Sequence, residues 1–448
     1  MISTHGLNFK RITLFLFFFL VYEPGFARSE DQHDNSLYQG KTISKIIIVG
    51  NAKTKDAVIL REMKTKTGAH FDDDLVREDK KRIQNLLLFT RVEIYPAKDK
   101  DERVGLIIVV AERWPFFPYP LLFRNERSWA LEKWSYGAGV IHNNIRGMNN
   151  KLLAEAWLGY NPGGVASYYN PWFGGDRQFY YKVAVHSMTI KSKTLTTLQR
   201  FDEFHRGFLF TFGKRWGYHT YSTVAVGYDY IRYPQDYVHL MPTEHSYQHL
   251  PSMGIGFQYD TRDLYEYPKE GWLLFLGLNN FYYPKELNYY QLGADVRRYF
   301  SLYKDLSLVF RMNTDLSFGD IPVFSHYYLG YSERIRGQFY DVMEGDSRLI
   351  FMMELRFPLL PIQYLDVDYG AAMFGQYSHD LPFGISGGVF YDVGAAWFKN
   401  EQNIPSNFLS GWGCGLHLHL PYIDVLRIEY GLNSNWQGQL IVDTQVAF

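Results

Sequence analysis

Segments of about ten residues that alternate in character recur over most of this chain, separated by turn residues. Such alternation is typical of β-strands with one polar and one apolar face, as in the wall of a transmembrane β-barrel. Beyond about the first 25 residues, no apolar run approaches the roughly 18 residues that a membrane-spanning helix needs. The pattern therefore excludes spanning helices and favours spanning strands.

The segments number about sixteen, an even count, as closure of a bacterial outer-membrane barrel normally requires. Eleven precede a long connection at about 318–347, and five follow it. The predicted strands span residues 119–124, 132–142, 152–160, 165–173, 178–188, 204–214, 220–231, 252–260, 272–282, 290–300, 306–316, 348–357, 384–397, 413–420, 424–432 and 439–448. A periplasmic β-sandwich is the alternative, but a sandwich would not need so many strands with aromatic residues near their ends.

The composition fits a chain with one polar, water-facing surface and one apolar surface. Aromatic residues make up 18% of the 448 residues, which is high for a soluble protein. The formal net charge of -1 gives no electrostatic reason to expect nucleic acid as a partner. The single cysteine, Cys414, excludes disulfides within the chain and metal sites built from several cysteines.

Residues 1–27 have the pattern of a secretory signal peptide. Lys10 and Arg11 precede an almost wholly apolar run at 12–22, and small residues occupy positions -3 and -1 of a cut after residue 27. A retained anchor helix is the alternative, but the apolar run is too short for one. The polar, aperiodic residues 28–40 are predicted to be a linker. We therefore expect an exported protein.

Residues 41–114 show the pattern of a small soluble domain, which ends before a barrel domain at 115–448. The predicted elements are a strand at 43–49, helices at 54–63 and 71–88, and strands at 90–96 and 104–111. The predicted fold is therefore mainly β, an antiparallel transmembrane barrel preceded by one small β-α-α-β-β domain.

This small domain resembles a POTRA domain, the periplasmic module attached to outer-membrane assembly barrels. The matching segments are IIIVGNAKTKDAVILREM, FDDDLVREDKKRIQNLLLFTRVEIYP and VGLIIVVAERWP. The resemblance implies that the domain binds client chains by adding a strand at an exposed sheet edge. A spacer that only supports the barrel is the alternative, and both readings stay open.

The long connection contains the segment YYLGYSERIRGQFYD, with Arg336 beside Gly337. An arginine held inside a barrel needs an acidic partner. Strand parity places Glu354 and Asp392 on the inward faces of adjacent strands, where one guanidinium can bridge both carboxylates. The alternative is that Arg336 is one of many solvated loop charges.

Five segments in register resemble the BamA/TamA-like superfamily of outer-membrane assembly and translocation proteins. They are GVIHNNIRGMNNKL, FQYDTRDLYEYPKEGW, YLGYSERIRGQFYD, MMELRFPL, and FYDVGAAW followed by GLHLHLPYIDVLRIEYGL. The resemblance implies that the sixth outer loop folds into the barrel and that its arginine, here Arg336, binds the wall acids Glu354 and Asp392. Gly337 then lets the backbone pack closely.

In this superfamily an aromatic residue usually follows the arginine-glycine pair at once, whereas Gln338 intervenes here before Phe339 and Tyr340. Which of these two rings packs against the lumen wall is therefore left open. The last predicted strand carries Val446 and the terminal Phe448 on its apolar face, which looks like the assembly signal of an outer-membrane client.

The resemblance implies a factor that inserts or translocates polypeptides through a barrel with a lateral seam, with clients engaged by the POTRA-like domain. Its expected partners are the lipid bilayer and unfolded client polypeptides, with accessory periplasmic or lipoprotein subunits left open. A dedicated secretion conduit for one partner protein is the alternative, and a passive porin is disfavoured by the POTRA-like domain. His417 and His419 share an inward face but lack a readable third ligand, and no metal, cofactor or enzymatic role is predicted.

Overall fold

The computed structural model describes residues 35–126, 130–197, 199–241, 243–283, 286–303, 305–338, 341–366, 377, 379–399 and 407–444. The predicted signal peptide, Phe339, Val446 and Phe448 lie outside the described residues. Neither α-helix of the described part is long and apolar enough to cross a membrane.

The N-terminal domain has the predicted element order. Its elements are β1 (Ile43–Val49), α1 (Asp56–Leu60), α2 (Asp73–Gln84), β2 (Phe89–Lys98) and β3 (Val104–Glu112). The strand order in the sheet is β1-β3-β2, with β1 parallel and β2 antiparallel to β3. The predicted β-α-α-β-β order is confirmed.

Helix α2 begins where its sequence satisfies the free backbone N–H groups of a helix start. The side chain of Asp72 accepts a hydrogen bond from the backbone N–H of Asp74 at 3.1 Å. Acidic residues in the first turn and basic residues in the last turn suit the helix dipole. Val76 and Ile83 lie seven positions apart on one face and are buried in the domain core. The C-terminal end of α2 and the face that points away from the domain core are available for contacts with the barrel.

The rest of the described chain forms one antiparallel sheet of sixteen strands. Eleven strands come first: β4 (Phe116–Arg124), β5 (Trp134–Ile145), β6 (Asn150–Gly159), β7 (Gly163–Phe173), β8 (Phe179–Lys191), β9 (Asp202–Trp216), β10 (Thr220–Arg232), β11 (Tyr247–Asp260), β12 (Gly271–Tyr283), β13 (Leu287–Tyr303) and β14 (Leu306–Gly319). A short hairpin of β15 (Tyr327–Leu329) and β16 (Met343–Gly345) lies in the long connection. Five strands follow: β17 (Ser347–Leu365), β18 (Leu381–Trp397), β19 (Leu409–Leu420), β20 (Ile423–Asn433) and β21 (Gly438–Thr444). The predicted fold class and strand count are confirmed.

The sheet curves around a lumen until its end strands approach each other. Phe117 on β4 lies beside Tyr422, in the turn before β20, with ring centroids 5.3 Å apart. Within the described residues, however, β4 and β21 share no backbone pairing, and β21 pairs only with β20. We call this unpaired boundary between β4 and β21 the seam.

Side chains of the barrel strands alternate between the outer surface and the lumen. On β20, Ile428 and Tyr430 point outward with 38% and 53% of their surface exposed. Arg427 and Glu429, on the same strand, are buried in the lumen. An apolar outer face can meet lipid, while the lumen must pair the charges that it buries.

The N-terminal domain lies across the mouth of the barrel. Arg215, at the end of β9, donates hydrogen bonds of 2.9 and 2.7 Å to the two carboxylate oxygens of Glu62. Other ion pairs along the rim are Arg113 with Glu266 at 2.5 Å, Arg91 with Asp380 at 2.8 Å, and Lys81 with Glu270 at 3.0 Å. Contacts spread over several strand turns hold the domain in one orientation.

We expect Arg215→Ala to loosen this docking, because it removes the bidentate partner of a buried carboxylate. The substitution should weaken the docking free energy by on the order of 3 kcal/mol, and hydrogen exchange in the segment around Glu62 should accelerate. Lys81→Ala is the matched control, since its pair with Glu270 is solvent-exposed and contributes about 0–1 kcal/mol. Equal exchange in the two variants would contradict the assignment.

Candidate functional site in the barrel lumen

The connection between β14 and β17, residues 320–346, folds back into the barrel; we call it the lumen loop. Its Leu329 and Ile335 are 0% and 1% exposed and belong to a buried apolar cluster. Ile350 and Met352 of β17 are in the same cluster. Apolar burial therefore holds the loop next to the strands that carry the wall carboxylates.

The guanidinium of Arg336 binds three wall carboxylates. Its Nε and Nη2 donate to the two oxygens of Asp392 at 2.7 and 2.8 Å. Its Nη1 donates to Glu354 at 2.5 Å and to Glu429 at 2.9 Å. Arg336 is 3% exposed, and Glu354 and Asp392 are fully buried. Only the planar fork of an arginine can make this set of bonds from one side chain.

An aromatic ring completes the arginine site. The Cζ atom of Arg336 lies 3.7 Å from the ring centroid of Phe390. Phe390 is on β18, two residues before Asp392, so both side chains point to the lumen. Stacking on the ring shields the guanidinium from water and strengthens its bonds to the carboxylates.

Further arginines balance the charge of the cluster. They pair as Arg356 with Glu354 at 2.6 Å, Arg427 with Glu429 at 2.7 Å, and Arg334 and Arg427 with Asp443 at 3.1 and 3.3 Å. Together with Arg336 and Asp392, four arginines face four carboxylates, so the formal charges cancel. Removing one member therefore leaves an uncompensated charge in a buried site.

Glycines allow the loop backbone to touch the wall. Gly337 has φ 93°, and a Cβ at this residue would lie 2.5 Å from the carbonyl oxygen of Leu432. On the wall, a Cβ at Gly411 would overlap the carbonyl oxygen of Arg336, and one at Gly431 would lie 2.7 Å from the nitrogen of Gly337. The arginine-glycine pair is therefore pressed onto β19 and β20 at positions where side chains do not fit.

Neighbouring loop residues also contact the wall. Gln338 donates a hydrogen bond from its Nε2 to the carbonyl oxygen of Ser410 at 2.6 Å. Glu333 lies 3.3 Å from Arg311 on β14. The glutamine that departs from the superfamily pattern thus binds the backbone just before Gly411.

The outer end of the loop is fastened through Glu344 on β16. Its carboxylate accepts hydrogen bonds from the N–H of Leu195 at 2.6 Å and from the hydroxyls of Thr194 and Tyr328 at 3.2 and 3.0 Å. Nδ1 of His326 lies 2.7 Å from the same carboxylate. Burial by itself raises the pKa of Glu344, but the contacts from His326 and the Leu195 N–H outweigh it and lower the pKa below the usual range. Glu344 is therefore held as an anion that joins the lumen loop to the loop after β8.

The structure brings together four of the residues that sequence reasoning named: Arg336, Gly337, Glu354 and Asp392. Sequence reasoning missed Glu429 as a third carboxylate, although strand parity already placed it on the polar face of its strand. Phe390 and the wall glycines carried no signal, because aromatic residues and glycines occur throughout the barrel sequence.

The two inward histidines belong to the same network. Nδ1 of His417 lies 2.8 Å from the hydroxyl of Tyr267, and Nε2 of His419 lies 2.9 Å from the hydroxyl of Ser386. Glu354, His417 and Glu429 place potential ligand atoms within 4.8 Å of one another. Both carboxylates already accept charge-assisted hydrogen bonds from arginines, so a cation would have to displace these partners.

The lumen contains open space on the side away from the arginine cluster. A cavity of about 1260 Å³ lies between the helices of the N-terminal domain and the strands from β5 to β13. Its lining includes Arg61, Trp172, Tyr221, Arg262 and Tyr265. The lumen loop therefore occupies the C-terminal half of the barrel and leaves room along the other half.

Fold and lumen site together define a β-barrel protein of the outer membrane whose N-terminal domain lies in the periplasm. A model of the Omp85 superfamily domain matches residues 144–442. A POTRA model, described as a surface antigen variable number repeat, matches residues 41–113. The chain belongs to the Omp85 superfamily, and the resemblance found in its sequence is confirmed.

Individual relatives agree with this assignment. The chain is 24% identical over 313 residues to the outer membrane protein assembly factor BamA of Nitratidesulfovibrio vulgaris, covering 66% of this chain and 37% of that protein. It is similar to the crystal structure of BamA from Haemophilus ducreyi lacking POTRA domains 1-3, with a TM-score of 0.53 and 16% identity over 90% of this chain and 83% of that chain. It is also similar to CdiB from Escherichia coli, with a TM-score of 0.57 and 13% identity over 92% of this chain and 77% of that chain. At these identities the solved structures show a shared fold, and the chain spans little more than a third of the BamA relative.

Proposed function

We propose that this protein assembles or translocates polypeptides at the outer membrane, using the barrel and its seam. The observation that carries the proposal is the lumen loop, which is fixed by Arg336 on β17, β18 and β20 next to an unpaired seam. A barrel with a rigid wall beside a weak boundary can open there without unfolding. Membership of the Omp85 superfamily supports the same role.

The seam supplies the chemistry for client binding. Backbone N–H and C=O groups on the facing edges of β4 and β21 lack strand partners within the described residues. In a bilayer an unpaired backbone group is costly, so a client strand that pairs with either edge is stabilised. Successive client strands can then form next to lipid and leave sideways. This mechanism is non-enzymatic and needs only hydrogen bonds, apolar burial and a separable strand.

The arginine cluster gives the wall its rigidity in this mechanism. One guanidinium connects three strands through side chains, in addition to the backbone ladder that already joins them. Such a cross-brace confines opening to the seam, where β4 and β21 share no backbone pairing within the described residues. Arg336 is therefore proposed as the residue that seats the loop, with Glu354, Asp392 and Glu429 as its receptors.

We also propose that the POTRA domain engages clients before they reach the barrel. Within the described residues, β2 has a strand partner, β3, on one side only. A client segment in an extended conformation can add to the other edge, whatever its sequence, because main-chain hydrogen bonds supply the affinity. The docking of this domain on the barrel rim places that edge close to the turns that end the barrel strands.

A dedicated conduit for one secreted protein is the second candidate. The cavity of about 1260 Å³ beneath the POTRA domain favours it, since this space could widen into a passage if the lumen loop withdrew. In that case the client would cross the barrel rather than leave through the seam.

Depletion of the protein, followed by a quantitative inventory of outer-membrane and secreted proteins, tests both candidates. Broad loss of barrel proteins is expected for an assembly factor, whereas loss of one secreted protein would support the conduit. Loss of neither would contradict both. Complementation with the wild-type gene is the control, and complementation with Arg336→Ala should fail if the lumen loop carries the function.

A further inference from the structure

Arg334 connects the lumen loop to the last strand of the barrel. It lies two residues before Arg336, and its Nη2 donates to the Asp443 carboxylate on β21 at 3.1 Å. Asp443 is 3% exposed and is the only charged residue of the segment Gly438–Thr444. The loop thus has an ionic contact with the strand that borders the seam, separate from the three carboxylates that hold Arg336.

Strand β21 is an end strand of the sheet and depends on side-chain contacts more than the interior strands do. It pairs with β20 from Leu432↔Gly438 to Leu426↔Thr444 and, among the described residues, has no partner on its other side. A strand held from one side can fray at a free energy close to that of its own ladder. An added charge-assisted hydrogen bond of about 1.5–3 kcal/mol is therefore a large part of what keeps it in place.

Strand β4, on the other side of the seam, carries a positive charge, which Arg334 repels instead of attracting. The positive charge of Arg124 on β4 is repelled by that of Arg334. Arg334 therefore attracts the carboxylate of β21 and repels a cation of β4. Both interactions favour a loop position on the β21 side of the seam.

We propose that Arg334 is a positioning residue that couples the seat of the lumen loop to the seam, by clamping β21 while the loop is inside the barrel. Withdrawal of the loop releases the clamp, and Asp443 then keeps only Arg427, which lies 3.3 Å away. With one ion pair fewer holding it, β21 becomes easier to separate from β20. The consequence for client transport rests on the proposed function, whereas the clamp itself does not.

Hydrogen exchange of the full-length protein in lipid nanodiscs, without any client, tests the clamp. Arg334→Gln should accelerate amide exchange in residues 438–444 by about tenfold to a hundredfold, as loss of one charge-assisted hydrogen bond predicts. Exchange in residues 384–397, which carry Asp392, should stay at the wild-type rate, because Arg336 remains in place. Arg334→Lys keeps the charge and should restore most of the protection.

Glu333→Gln is the matched control, because it removes a contact of the same loop to Arg311 on β14 instead of β21. It should leave exchange in residues 438–444 unchanged. Combining Arg334→Gln with Asp443→Asn should accelerate exchange no further than the stronger single variant. Unchanged exchange in Arg334→Gln, or acceleration spread equally over all barrel strands, would overturn the clamp. The exchange experiment could give the result expected for the clamp while depletion leaves outer-membrane and secreted proteins unchanged. That combination would overturn the proposed function but not the clamp.

Discussion

Arg336→Ala is expected to release the lumen loop and to destabilise the barrel by on the order of 3–5 kcal/mol. The change removes a cation from three carboxylates that share it, and Asp392 loses both of its charge-assisted hydrogen bonds to the guanidinium. Arg356 and Arg427 still balance Glu354 and Glu429, so the excess negative charge falls on Asp392. A loss of about 3 kcal/mol corresponds to roughly a hundredfold shift in loop seating.

Thermal unfolding in detergent and protease accessibility of the loop measure this effect. Arg336→Lys should be intermediate, because lysine keeps the charge but cannot bind Asp392 through a planar fork. Arg177→Ala serves as the control, since this arginine is exposed in a turn and its removal should change stability by less than about 0.5 kcal/mol. An Arg336→Ala protein as stable and as protected as the Arg177→Ala protein would refute the role of the cluster.

The second large effect is expected from Gly337→Ala. Alanine at φ 93° is strained by about 1–3 kcal/mol, and its Cβ would be forced against the carbonyl group of Leu432. The loop must then lift from the wall, which lengthens the bonds that the neighbouring Arg336 makes. We expect a lower unfolding temperature and faster exchange in the described loop residues.

Gly217→Ala separates the effect of backbone strain from the effect of steric overlap with the wall. Gly217 has φ 70° in a turn, with nothing within 4 Å of an added Cβ, so this variant carries the backbone strain without the overlap. Gly337→Ala should be clearly the more damaging of the two. Equal losses of stability would mean that close approach to the wall is not what the arginine-glycine pair requires.

The variants of Arg336 and Arg334 test two different contacts of the same lumen loop. The Arg336 cluster braces β17, β18 and β20, whereas Arg334 reaches the strand at the seam. A loop that binds both the rigid part and the separable part of the wall can transmit its own position to the seam. Arg334 and Arg336 are only two residues apart but reach different strands, because the loop backbone lies directly against the wall glycines.

Much of the fold was determined by the sequence itself, because the signals are local. Alternation with a period of two residues marks each strand and assigns its faces, and turn residues separate one strand from the next. The same parity predicts that Glu354 and Asp392 point inward. Secondary structure of the N-terminal domain was equally predictable from its helical and strand periodicities.

Tertiary structure alone decided which of the inward charges meet. Residues 336 and 429 are far apart in the chain, and only the curvature of the sheet and the path of the loop bring them to 2.9 Å. The seam, the docking of the POTRA domain on Arg215 and the contact of Arg334 with Asp443 depend on the same long-range geometry. Local periodicity tells a side chain which face it occupies but carries no information on which distant residue will lie opposite, because the stagger and closure of the whole sheet set that.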